Sequence, residues 1–150
     1  MAPAIPAFRK PTLGERVFNR LFGLIVRLGL SPAYNQLLRV RGRKSGRIYC
    51  TPVDLLEFRG KRYLVAPRGQ TQWVRNAEAA GEVILQRGLK RQRYQLRALP
   101  DAEKPEILKA YLDGFRMTVQ RYFPVPAGSP SNAFVELASH YPAFELLPVH

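Results

Sequence analysis

Two glycines, Gly42 and Gly46, enclose Arg43, Lys44 and Ser45 between two runs of strand character, 37–40 (Leu-Leu-Arg-Val) and 48–53 (Ile-Tyr-Cys-Thr-Pro-Val). No other feature restricts the fold as much. Apolar and β-branched residues on both sides are suited to pairing, and glycine admits the positive φ that a tight reversal needs, so the segment is expected to be a β-hairpin. Arg43, Lys44 and the Ser45 hydroxyl add donors suited to a phosphate or carboxylate. The turn therefore reads as an anion-binding loop, although the same residues make a serviceable hairpin with no ligand at all.

A second anion site follows. Tyr63-Leu64-Val65-Ala66 reads as a buried strand, Pro67-Arg68-Gly69-Gln70 breaks it, and Thr71 opens a helical segment reaching Ala80. Thr71 is a candidate N-cap, and the free N–H groups of a first helical turn, with the positive end of the helix dipole, favour an anion. Arg68 would add a charged donor. Trp73, Asn76 and Ala77 share one helix face by their spacing. Core packing explains Trp73 as well as a ligand would, whereas helix propensity does not explain an interior Asn76.

Further along, the pattern predicts a strand pair over 82–99 that turns near Gly88. A longer helix follows, entered near Asp101 and Pro105, with the stripe Ile107, Leu108, Tyr111, Leu112, Phe115 and Val119; then come a short helix and a last strand. Together with three strands expected between 36 and 67, this gives an α+β domain: a mainly antiparallel sheet of about six strands, best closed as a barrel with flanking helices. The 150 residues, 46% hydrophobic and 23% charged, suffice for a core, and a single domain over 1–150 is expected. Residues 1–13 read as a loose leader and the proline-rich 123–130 as a rigid surface connection. Residues 14–30 read as a basic amphipathic helix, with Phe18, Leu21, Phe22, Ile25 and Leu28 on one stripe and Arg16, Arg20 and Arg27 elsewhere. Such a helix either covers the barrel or lies in an anionic membrane interface; it is too short and too charged to span a bilayer.

The formal charge of +13 calls for an anionic partner. Its cations crowd two places: Arg39, Arg41, Arg43, Lys44 and Arg47 in the first hairpin, and Arg87, Lys90, Arg91, Arg93 and Arg97 in the second. If one sheet holds both, alternating residues line a shared basic groove. Nucleic acid is the lesser candidate; Tyr49, Tyr63, Trp73 and Tyr94 could stack bases, but no recognised nucleic-acid motif is present. Cys50, the single cysteine, excludes an internal disulfide, suits a reducing cytoplasm and reads as a buried small residue. His140 and His150 form no metal spacing, so no metal is expected. The Walker, Rossmann and nucleophile-elbow patterns are missing.

Gly42-Arg43-Lys44-Ser45-Gly46, Thr51-Pro52, Ala66-Pro67-Arg68-Gly69 and Trp73-Val74-Arg75-Asn76 together resemble the deazaflavin-dependent nitroreductase and quinone reductase family. The resemblance covers roughly residues 35–100 and touches the end, where Tyr141-Pro142-Ala143-Phe144-Glu145-Leu146 is similar to a closing strand. It implies a split β-barrel of the FMN-binding type and coenzyme F420, a deazaflavin with a phosphate and an oligoglutamate tail. By the same resemblance Lys44, Ser45 and Gly46, helped by Arg43 and Arg68, meet the phosphate and tail. Tyr49, Thr51, Pro52, Ala66, Pro67, Gly69, Trp73, Val74, Arg75 and Asn76 border the rest of the cofactor. Many members carry a basic residue where Tyr49 stands, a serine at Pro67 and a second glycine at Gln70, and have a longer turn before the tryptophan. The missing serine bears on substrate hydrogen bonding. The implied reaction is hydride transfer from reduced F420 to a quinone, an enone or a nitroaromatic, with no catalytic side chain named. FMN on the same fold is an alternative cofactor, and a non-catalytic carrier of a deazaflavin, haem or lipid is an alternative role. The expected setting is cytoplasmic, as a monomer or homodimer, at the inner face of the membrane if 14–30 binds there.

Overall fold

The computed structural model describes residues 34–150; the leader 1–13 and the amphipathic segment 14–30 lie outside the described residues. Seven strands form one antiparallel sheet: β1 (Asn35–Arg41), β2 (Ile48–Asp54), β3 (Leu56–Phe58), β4 (Lys61–Val65), β5 (Glu82–Arg87), β6 (Lys90–Ala98) and β7 (Ala143–Pro148). Their spatial order is β2-β1-β5-β6-β7-β4-β3. Leu55 alone separates β2 from β3, yet these strands are the two edges of the sheet. The sheet must therefore curl until its edges come together, and the result is an α+β half-barrel of split-barrel type. The sequence led us to expect three strands before residue 67. There are four, because the chain changes partner at Leu55: its N–H still donates to the Tyr34 carbonyl at 2.8 Å, in register with the β1 pairing, and from Leu56 the chain pairs with β4 instead, splitting one long run into β2 and β3.

Alternation along the strands assigns two sides. Leu38, Val40, Leu64, Val83, Leu85, Tyr94 and Leu146 bury on one side with Ala77 of helix α1 (Gln72–Ala80), while Tyr63, Val65 and Ala143 bury on the other beneath helix α2 (Lys104–Val119). The whole expected stripe of α2 packs there: Ile107, Leu108, Tyr111, Leu112 and Val119 are buried and Phe115 is half-buried at a kink, where its φ is −120° and ψ 24°. The proline-rich connection is fastened to this helix. Gln120 accepts from the Ala127 N–H at 2.7 Å and donates to the Val125 carbonyl at 2.8 Å, and Asp113 accepts from the Gly128 N–H at 2.7 Å. Instead of one short helix, two short 3-10 turns follow, Ser131–Phe134 and Ala138–His140, and the last strand begins at Ala143 because Tyr141 is in the core, its hydroxyl donating to the Tyr122 carbonyl at 2.5 Å.

Both basic hairpins belong to this one sheet. Arg39 of β1 lies opposite Ile84 of β5, which lies opposite Arg93 of β6, so the two arginines share a row on one face. Cys50 is exposed, which corrects its reading as a buried residue: the strand pattern places it in β2, but β2 is a sheet edge and its first three residues are open. Its Sγ lies 3.8 Å from Arg39 Nη1. No described helix is long and apolar enough to cross a membrane.

Candidate cofactor site

The hairpin loop between β1 and β2 is closed by two backbone bonds, Gly42 N–H to the Arg47 carbonyl at 2.7 Å and Gly46 N–H to the Gly42 carbonyl at 3.0 Å. Gly46 has φ +75°, a conformation that L side chains rarely adopt. Gly42 is needed for a different reason. A Cβ there would stand 2.5 Å from Tyr49 Cε2 and 2.9 Å from Ser45 Oγ, so the tyrosine ring lies flush on the glycine backbone. Ser45 Oγ accepts from the Arg47 N–H at 3.2 Å and shares a 3.3 Å hydrogen bond with the Tyr49 hydroxyl. Lys44 is exposed, with no ion pair or hydrogen bond of its side chain among the described residues.

Arg43 turns away from the loop. Its backbone N–H and its Nη1 both donate to Asn76 Oδ1, at 3.1 and 2.8 Å, and Nη1 also donates to Gln72 Oε1 at 3.0 Å. The anion loop is thereby docked on the first turns of α1. At that helix start Thr71 is extended (φ −78°, ψ 174°), as an N-cap should be, but its side chain caps nothing, and its buried Oγ1 has no hydrogen-bond partner among the described residues. The first turn of α1 contains no acid.

The preceding turn is held by the chain's end. The Ala66 N–H donates to the Pro142 carbonyl at 2.8 Å, and Gly69, at φ +81°, leaves 3.7 Å between an added Cβ and the His140 carbonyl oxygen. Arg68 and Pro67 are half-buried in this turn.

The structure brings some expected residues together and separates others. Arg43, Lys44, Ser45, Gly46 and Tyr49 form one patch with Asn76. Thr51 and Tyr49 stand opposite Leu38 and Val40, on the side where Trp73 packs, whereas Pro52 stands opposite Leu37 on the other face. Trp73 is half-buried, 6.2 Å from the Phe144 ring, and bridges two core clusters. Ala66 and Val74 are core residues, 1% and 0% exposed, so only their main chains can face a ligand. Arg75 is exposed on α1. The sequence reading placed Thr71 at the second anion site as a cap, a bond its side chain does not make, and missed Gln72, though the i, i+4 spacing of Gln72 and Asn76 was a usable signal. Tyr111 on α2 is fully buried and desolvation pushes its hydroxyl pKa well up, as befits a core residue.

Comparison with known proteins decides the family. The family described as F420H(2)-dependent quinone reductase matches residues 18–122. The chain belongs to that family. It is an oxidoreductase that transfers a hydride from reduced coenzyme F420 to an acceptor, and F420 is its cofactor; FMN is not needed to explain the fold. A structure of an F420-H2 dependent reductase (FDR-A) is 21% identical, with a TM-score of 0.51 over 76% of this chain and 94% of its own. A protein solved as a domain-swapped dimer is 20% identical, with a TM-score of 0.53 over 90% and 99% of the two chains. A NimC/NimA family protein from Clostridium acetobutylicum is 11% identical, with a TM-score of 0.53 over 80% and 74%. At these identities the likenesses show the fold. No curated protein matches the chain.

Proposed function

We propose that loop 42–47 and the start of α1 form the anionic end of the F420 site, and that the acceptor is a quinone. Lys44, Ser45 and Gly46 hold the phosphate and tail. The Thr71 hydroxyl and the first free N–H groups of α1 supply a second donor set, with Arg68, Gly69 and Arg75 at its rim. Tyr49, Thr51 and Trp73 border the ring, and Ala66, Pro67 and Val74 contribute main chain.

One observation carries this reading: a buried hydroxyl with no partner among the described residues stands at a helix start that has no side-chain cap and no acid in its first turn. An unmade bond of this kind costs about 1–3 kcal/mol, and a helix N-terminus is ordinarily balanced by negative charge. A phosphate or carboxylate accepting from Thr71 would remove both costs. The residues present therefore fit F420.

When bound, F420 supplies the hydride. The chain's own work is to anchor the cofactor by its charged end, to fix the ring against Tyr49, Thr51 and Trp73, and to keep water from it. The protein works in the cytoplasm as a homodimer, the kind of assembly in which one structural neighbour was solved.

Titration of the full chain with F420, followed by fluorescence, tests the site. Saturable binding that weakens in both Lys44→Ala and Thr71→Val is expected. A dissociation constant unchanged in both variants would show that the anion is held elsewhere.

A further inference from the structure

Asn76 is buried on α1, and a buried side-chain amide needs partners. Its Oδ1 has two acceptor directions, and Arg43 fills both, one from the backbone N–H and one from Nη1. Both partners are donors, so the oxygen, not the nitrogen, of the amide faces Arg43. The remaining contact of Arg43 Nη1 is again a neutral amide oxygen, Gln72 Oε1. No carboxylate pairs with this guanidinium among the described residues. It is therefore a held cation with no acidic partner among the described residues, placed at a helix N-terminus that already carries positive partial charge. Such an arrangement is unfavourable for the empty protein, and local conflicts of this kind mark functional sites.

We propose that Arg43 is a positioning residue and not itself a ligand of the phosphate or tail. Its hydrogen bonds to Gln72 and Asn76 strut the 42–47 loop onto α1, while its unneutralised charge makes the loop and the helix start a single site for one anion. This rests on the F420 reading above, and it gives Arg43 and Asn76 a role other than the cofactor contacts that the family resemblance implied. Asn76 is spent on the strut, so its oxygen does not accept from the cofactor. The use of neutral amides is the essential feature: an acid at position 72 or 76 would hold the arginine as firmly and cancel the charge the site needs.

Two substitutions separate strut from charge. Asn76→Ala removes the acceptor, whereas Asn76→Asp keeps an acceptor for both Arg43 donors and adds a neutralising negative charge. Limited trypsin digestion of the protein without cofactor reads the strut, by cleavage after Lys44 and Arg47. We expect Asn76→Ala to be cut faster than wild type at these sites and Asn76→Asp to be protected as wild type is. Fluorescence titration with F420 reads the charge. Both variants should bind at least about tenfold more weakly, the scale of one charge-assisted hydrogen bond. Binding by Asn76→Asp should also lose much of the salt dependence seen in wild type. Unchanged cleavage in Asn76→Ala would overturn the strut, and wild-type affinity in Asn76→Asp would overturn the role of the charge. Because digestion needs no cofactor, failure of wild type to bind F420 would overturn the functional reading and leave the strut to be judged on cleavage alone.

Discussion

Single side chains separate ligand contacts from packing in this site. Lys44 is exposed and buries little, so Lys44→Ala should weaken F420 binding by about 1.5–3 kcal/mol while leaving the melting temperature nearly unchanged. A variant that melts early without a change in affinity would make the lysine structural. Gly69 is the reverse case. Its φ of +81° is strained for any L side chain, so Gly69→Ala should cost about 1–2 kcal/mol in a denaturant titration. Asp54 has a pH signature. Desolvation is the largest influence and raises its pKa above 3.8, outweighing hydrogen bonds from Asn35 and Thr118 that lower it. The folded state thus holds the proton more tightly than the unfolded chain, and stability falls as pH rises from the unfolded value through the raised folded one. Asp54→Asn should remove that fall, so the variant's melting temperature should gain on wild type between pH 3 and 7. Parallel curves over this range would contradict the assignment. At this scale the sequence was legible where chemistry is local: the glycine-bounded loop, the Thr71 helix start and the Trp73 packing alternative were all readable. The Arg43 to Asn76 contact was not, because it joins residues 33 apart and depends on the way the hairpin folds back over α1.

Elements were legible through periodicity and less so at their ends. The stripe of α2 was readable from its 3.6-residue spacing, and Leu112, at its centre, is completely buried. Leu112→Ala should cost about 2–5 kcal/mol, the range for an aliphatic core truncation, and should leave F420 affinity per folded molecule unchanged because Leu112 packs in a different core cluster from Trp73 and Ala77. A selective loss of affinity in this variant would mean that the helix reaches the cofactor. The split between β2 and β3 was not legible. It comes from a change of partner at Leu55, from β1 to β4, and no propensity records such a choice. Cys50 failed for a related reason, since periodicity shows which residues are in strands but not which strand is an edge.

For the molecule as a whole, composition pointed to an anionic partner, and the sheet order makes the two basic hairpins neighbours through the antiparallel β1 and β5 pairing, with their turns at opposite ends and Arg39 and Arg93 in a shared row. Base stacking is correspondingly poor as an explanation, because Tyr63 and Tyr94 are 8% and 2% exposed and Tyr94 is hydrogen-bonded to Arg62. The central claim is that this fold holds reduced F420 by its anionic end and passes a hydride to a quinone. The most direct measurement is the oxidation of reduced F420 by the full chain with menadione, followed by absorbance, with reduced FMN and NADPH run beside it. The account predicts saturable turnover with F420 that falls steeply as salt is raised, and little with NADPH, for which the sequence carries no Rossmann glycine fingerprint. Tight F420 binding without turnover on any quinone, or a preference for FMN, would contradict it.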